Sequence, residues 1–248
     1  MLRLALVLAL LGGCSSSAPS RPDTEEAPAR VLVFSKTAGY RHASIPTGIA
    51  ALREIGAARG FAIEATEDAS AFTASGLAPF DAVVFLNTTG DVLGPEAEAA
   101  FEAYVEGGGG FVGVHAASDT EYDWPWYGRL VGAYFESHPE IQEATLTVVE
   151  ADHPATRALP ETWTRTDEWY NFQAAPEGVT VLLRLDESTY EGGAMGEDHP
   201  AAWSHTVGDG RAIYTALGHT DAAYAEEAFR GHLGGAVCWA ARLDCAGG

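Results

Sequence analysis

Between Arg30 and His115, short apolar runs alternate with stretches whose apolar residues recur at helical spacing, and that alternation leaves few folds open. Arg30 to Phe34, Phe61 to Ala65, Asp81 to Leu86 and Phe111 to His115 read as strands. A helix begins around Ser44-Ile45-Pro46 and runs to Arg59, with Ile49, Leu52 and Ile55 on one face and Gly60 as its stop. A second opens at Pro95, carries Ala97, Phe101, Tyr104 and Val105 at helical spacing, and ends in Gly107 to Gly110. Strands separated in this way form a parallel sheet covered by helices on both faces, with ligands expected at the carboxyl ends of the strands.

Residues 124–203 are aromatic-rich and less regular, with antiparallel strands expected at Ala144 to Glu150 and Val179 to Leu185. The regular pattern returns with Arg211 to Leu217, followed by Gly218-His219-Thr220 and a last helix from Asp221 to Leu243. Its glycines at 231, 234 and 235 fit if the helix packs closely on the sheet. The expected fold is therefore α/β, mainly parallel, with an irregular β-rich insertion. The Gly107 to Gly110 run lacks a following Lys-Ser/Thr and precedes a strand, so it reads as a turn rather than a phosphate loop.

The N-terminal residues carry Arg3, an apolar run from Leu4 to Leu11, and Leu11-Gly12-Gly13-Cys14 before three serines. The run is shorter than the about 20 residues a permanent span needs. It reads as a lipoprotein signal peptide over residues 1–13, with Cys14 as the acylated anchor. Ser15 to Ala29 has the composition of a solvated tether, so residues 14–29 form a linker and 30–248 one domain. The expected location is exported and lipid-anchored, on the periplasmic side of the outer membrane. Contact with membrane is then through the anchor only. A formal net charge of −21 disfavours nucleic acid, whose phosphates need clustered Lys and Arg. Cys238 and Cys245 would stand about 10.5 Å apart on a continuous helix, so a disulfide requires the helix to end between them.

Three histidines follow strands at the same sheet end: His42 after the first, His115 at the end of the fourth, His219 after the late one. Imidazole suits both proton transfer near neutral pH and metal ligation, so their convergence marks a candidate site. His138, His153, His199 and His232 read as loop or packing residues, with His205 in reserve.

Gly113-Val114-His115-Ala116-Ala117 resembles the strand-to-turn elbow on which class I glutamine amidotransferases carry a nucleophilic cysteine. That cysteine is absent, which argues against thiolate chemistry. The chain resembles the ThuA-like (trehalose utilisation) family, in Gly39-Tyr40-Arg41-His42-Ala43-Ser44-Ile45 and in Gly108 through Asp119. Further matching stretches are Tyr127 to Phe135, Asp167-Glu168-Trp169-Tyr170, His199 to Trp203, and Gly210-Arg211 with Thr215 to His219. The resemblance implies a flavodoxin-like, amidotransferase-like sheet and a role in carbohydrate metabolism.

Around the histidines, Tyr40, Trp124, Trp126, Tyr127, Trp169 and Tyr170 offer flat faces for a sugar ring or else ordinary packing. Asp119, Asp167 and Glu168 offer acceptors for sugar hydroxyls. His115, His219, Asp119 and Glu168 are the candidate catalytic groups, with His42 beside substrate. His42, His115 and His219 could equally hold a divalent metal such as zinc. The expected ligand is a sugar or sugar derivative: a glycoside or keto-sugar processed by acid–base or metal-assisted chemistry by a hydrolase, lyase or isomerase. The alternative is a sugar-binding lipoprotein without catalysis.

Overall fold

The computed structural model describes residues 28–244. Cys14, the signal peptide, the tether up to residue 27 and Cys245 lie outside the described residues. In chain order the elements are β1 (Ala29–Phe34), α1 (Ile45–Arg59), β2 (Phe61–Thr66), α2 (Ala74–Leu77), β3 (Ala82–Leu86), α3 (Pro95–Glu106) and β4 (Gly110–Val114). The middle holds α4 (Pro125–Val131), β5 (Phe135–Ser137), β6 (Gln142–Val148), β7 (Thr162–Asp167), β8 (Asn171–Phe172) and β9 (Thr180–Asp186). The chain returns through β10 (His199–Val207), β11 (Gly210–Thr215), α5 (Asp221–Ala225) and α6 (Glu227–Ala240).

Nine strands form one sheet in the order β2-β1-β3-β4-β11-β10-β9-β6-β7, and β5 pairs with β8 apart from it. The run from β2 to β11 is parallel throughout. From β11 onward the pairings are antiparallel, so the aromatic-rich middle of the chain extends the sheet rather than forming a separate body. Period-2 geometry sorts the buried strands between two cores. Val31, Val33, Val84 and Leu86 pack with α1, α5 and α6 through Leu52, Ile55, Tyr224, Phe229 and Leu233. Leu32, Phe34, Val83 and Phe85 pack with α2, α3 and α4 through Leu77, Phe101, Val105 and Leu130. Strands buried on both faces are what unbroken apolar runs specify.

Three sequence expectations change. Strand β4 stops at Val114, and His115 opens a short 3-10 turn with φ +50°. The last helix breaks at Glu226, which is extended (φ −76°, ψ 124°). Its carboxylate accepts from the Trp163 indole at 2.6 Å and lies 3.1 Å from the Arg165 guanidinium, so the break ties the helix pair to β7. The late glycines also serve other contacts than the sheet. A Cβ on Gly235 would stand 1.9 Å from the Pro154 carbonyl oxygen, and one on Gly234 would stand 2.4 Å from Arg59.

Backbone is the obstacle at Gly235, so a side chain there cannot simply rotate away. Gly235→Ala is expected to destabilise the domain by about 1–3 kcal/mol, seen as a lower urea midpoint at unchanged slope. An unaltered midpoint would show that the loop at 153–156 yields freely.

Candidate metal centre

The parallel half of the sheet delivers three imidazoles to its carboxyl edge. His42 lies in the loop after β1, His115 directly after β4, and His219 after β11, four residues past Thr215. The outward order of β1 and β2, against β3 and β4 on the other side, makes this edge the switch point where such sheets hold ligands. The fourth member, Glu168, comes from just beyond β7, at the far end of the sheet order. Asp167 holds it there. That carboxylate is fully buried and accepts the backbone N–H groups of Gly218 (2.9 Å), His219 (3.1 Å) and Glu168 (3.0 Å). One side chain therefore fastens the Glu168 segment to the His219 loop.

His115 occupies the left-handed region, which costs a non-glycine residue about 1–3 kcal/mol and survives where surroundings fix it. Its carbonyl accepts from the Tyr214 hydroxyl at 2.8 Å, and its Nδ1 stands 2.7 Å from the Ala216 carbonyl. A carbonyl only accepts, so Nδ1 carries a proton and Nε2 is the nitrogen that faces the cluster. The neighbouring Asn87, also left-handed at φ +52°, donates its amide to Ser44 (3.1 Å) and to the Gly218 carbonyl (3.3 Å). Ser44 in turn donates to the His219 carbonyl at 2.7 Å, linking the His42 and His219 loops.

Three donor atoms form a near-equilateral triangle. His115 Nε2 is 3.2 Å from His219 Nδ1 and 3.3 Å from Glu168 Oε2, and His219 Nδ1 is 3.1 Å from the same oxygen. The His42 ring stands 5.0 Å from each of the other two rings, and all four residues present a ligand atom within 4.8 Å of the rest. Around an ion bound at about 2.0–2.1 Å, tetrahedral donors stand about 3.3 Å apart, so the spacing fits a metal shell. Other features fit as well. His115 has the outer hydrogen bond that metal-ligating imidazoles use, and the buried Nδ1 of His42 has no protein partner. Three imidazoles and a carboxylate suit zinc and the later first-row divalent ions.

Burial, reinforced by the other two imidazoles, pushes His42 down to about 3, so it is neutral and ready to ligate at ordinary pH. Burial would raise Glu168, but hydrogen bonds to His115 and His219 and their charge hold it below the usual carboxylate range. For His219 burial acts downward and the Glu168 carboxylate outweighs it, leaving the imidazole above its ordinary value. Burial raises Asp119, with the Tyr122 hydroxyl at 2.7 Å opposing the shift.

His42, Glu168 and His219 open into a cavity of about 420 Å³ that Asp119 and Tyr170 also line, with His115 buried beneath it. The Tyr170 ring packs 4.2 Å from that of His115. Tyr40, 65% exposed, meets the His42 ring edge-on at 4.9 Å and stands at the rim. The other expected sugar contacts lie elsewhere. Asp167 is spent on backbone, Trp169 is buried with its indole donating to the Gln142 carbonyl, and Tyr127 is buried with its hydroxyl on the Ala117 carbonyl. Trp126 donates to Glu106, and Trp124 stacks on it at 4.9 Å, so this aromatic group packs against the α3 and α4 core. His205 bonds the Arg129 carbonyl and lines a different hollow.

Two cavity residues escape a reading of the sequence. His138, assigned there to a loop, is 42% exposed and sets its Nδ1 3.2 Å from the outer oxygen of Glu168. Phe135 packs its ring 4.3 Å from Tyr170 and lines the cavity. Both belong to the segment around β5, which pairs with β8 rather than with the main sheet, so no strand-end rule points to them. His199 remains structural, with Nε2 holding the Tyr170 carbonyl at 2.8 Å and Nδ1 on Glu187 at 2.8 Å.

Two outcomes follow from this geometry. A histidine whose folded pKa lies below its unfolded value contributes stability above about pH 6.5 that is lost as pH falls toward the folded value. In metal-free protein, His42→Gln should therefore flatten the decline of stability between about pH 6.5 and 4.5, measured by urea unfolding; parallel slopes would contradict the buried neutral imidazole. Asp167→Asn keeps the shape but weakens the acceptor for the Gly218, His219 and Glu168 amides. It should lower metal affinity about 10–100-fold, whereas unchanged affinity in a competition titration would deny Asp167 its fastening role.

The sheet and its neighbours are shared with other proteins. A protein described as ThuA-like from Bacteroides uniformis is similar over 90% of this chain and 95% of that one, at 23% identity and TM-score 0.74. A ThuA-like protein from Parabacteroides merdae is similar over 89% and 92%, at 22% identity and TM-score 0.76. A β-galactosidase from Rahnella sp. R3 shares the fold over 87% of this chain but only 31% of its own length, at 17% identity and TM-score 0.57. Among curated proteins, no sequence matches. The family described as ThuA, trehalose utilisation, matches residues 30–240, and the flavodoxin-like fold agrees, so this chain belongs to the ThuA family.

Proposed function

We propose that this protein is an exported, lipid-anchored enzyme of carbohydrate metabolism that acts on a glycoside or keto-sugar with the help of a divalent metal. The family's link to trehalose utilisation supports the sugar. The lipobox ending at Cys14 supports the anchor, and no helix among the described residues is long and apolar enough to cross a membrane. The observation that carries the chemistry is the triangle of His115, His219 and Glu168 donor atoms at 3.1–3.3 Å, with His42 alongside.

In this reading His42, His115, His219 and Glu168 would hold the ion, which when bound would supply Lewis-acid polarisation of a sugar carbonyl or hydroxyl. Asp119 supplies the proton transfer. It shares the cavity, is raised by burial, and is oriented by the Tyr122 hydroxyl, as a carboxyl group that must both give and take a proton requires. Tyr40 and Phe135 present apolar ring surface to the carbon-bound hydrogens of the sugar. At the elbow, His115 with its left-handed backbone stands where a glutamine amidotransferase would carry cysteine, so this edge of the sheet is fitted for ligation rather than acyl transfer.

Turnover of a panel of glycosides and keto-sugars by metal-loaded protein tests the proposal. Chelation should abolish activity and re-addition of metal restore it, while Asp119→Asn should retain metal and lose about 10²–10⁴-fold in kcat. Sugar binding without any turnover across the panel would sink the enzyme reading in favour of a binding lipoprotein.

A further inference from the structure

The cavity at the candidate metal centre borders a second hollow, and the two share lining residues. Asp119 and Phe135 line the inner cavity of about 420 Å³ and also an outer, open shelf of about 530 Å³ completed by Tyr122, Glu136 and Gln173. The shelf is a braced surface. The Tyr122 hydroxyl bonds Asp119 at 2.7 Å and the Phe135 carbonyl at 3.1 Å, and the Gln173 amide nitrogen bonds the same carbonyl at 3.2 Å. Gln173 is fixed in turn by its backbone N–H on the Tyr134 carbonyl at 2.9 Å.

Charge is the second observation. Asp119 and Glu168 line the inner cavity and Glu136 the shelf, while no Lys or Arg lines either. On the shelf, away from the ion proposed for the inner cavity, an anionic substituent would meet the Asp119 and Glu136 carboxylates with no Lys or Arg to pair with it, which disfavours it there by like-charge repulsion. Hydroxyl groups, by contrast, find acceptors throughout.

Resting on the carbohydrate reading above, we infer that the shelf of Tyr122, Phe135, Glu136 and Gln173 is a second sugar subsite that takes the neighbouring unit of a glycoside. One unit occupies the cavity lined by His42, Glu168 and His219. Its neighbour lies on the shelf across the Asp119–Phe135 join, which places the bond between the units beside the Asp119 carboxylate.

Isothermal titration of the metal-loaded domain tests this with glucose and a set of neutral glucose disaccharides including trehalose. The best neutral disaccharide should bind about tenfold or more tighter than glucose, the worth of one or two hydrogen bonds. The Glu136→Ala/Gln173→Ala double variant, changed only at exposed positions, should erase that advantage and leave glucose affinity unaltered. Equal affinity for glucose and every disaccharide, or a disaccharide advantage that survives the double variant, would each overturn the subsite while leaving the sugar reading standing. Failure of glucose and all disaccharides to bind protein shown to hold metal would overturn the sugar reading itself, and the subsite with it.

Discussion

A fully buried carboxylate, Asp167, draws together chain segments that the sheet alone would leave apart. Burying such a charge costs several kcal/mol unless it is paired and hydrogen-bonded. Here three backbone N–H groups and the Arg165 guanidinium, 3.3 Å away, compensate it. Arg165 is held between the rings of Trp163 and Phe229 and also meets Glu226, at the break between α5 and α6. The broken final helix, the antiparallel extension and the Glu168 segment are thus coupled through one buried ion-pair network. Without it, the histidine edge would lack its carboxylate.

The cluster itself is a second concentration of free energy. Three imidazoles and a carboxylate sit within contact distance, and burial with the neighbouring imidazoles keeps His42 unprotonated, as a metal ligand must be. Left-handed backbone at His115 and Asn87 adds strain at the same sheet edge. Strain and unsatisfied electrostatics at one place, inside a sheet whose remaining strands are conventionally packed, are the signature of residues retained for chemistry rather than for stability.

Much of this was legible in the sequence wherever local rules apply. Apolar runs and glycine stops placed the parallel strands and α1, and the rule that ligands gather at strand carboxyl ends singled out His42, His115 and His219. Glu168 was read as a candidate carboxylate, but its partners arise from pairing between segments about fifty residues apart, which spacing does not encode. The same limit explains the aromatic residues. Trp124, Trp126, Tyr127 and Trp169 have the composition of a sugar platform, yet which face they turn to depends on the insertion's packing, and they turn to the cores. His138 and Phe135 were hidden for the converse reason: a short strand outside the main sheet brings them to the cavity.

The most direct test of the account is the metal content and coordination of the purified domain after loading with zinc or cobalt(II), compared with His42→Ala, His115→Ala and His219→Ala. The account predicts about one ion per chain in wild type, with imidazole and oxygen ligands in the X-ray absorption spectrum, and loss of tight binding in each variant. Stoichiometric metal retained with an unchanged spectrum in all three variants would contradict it.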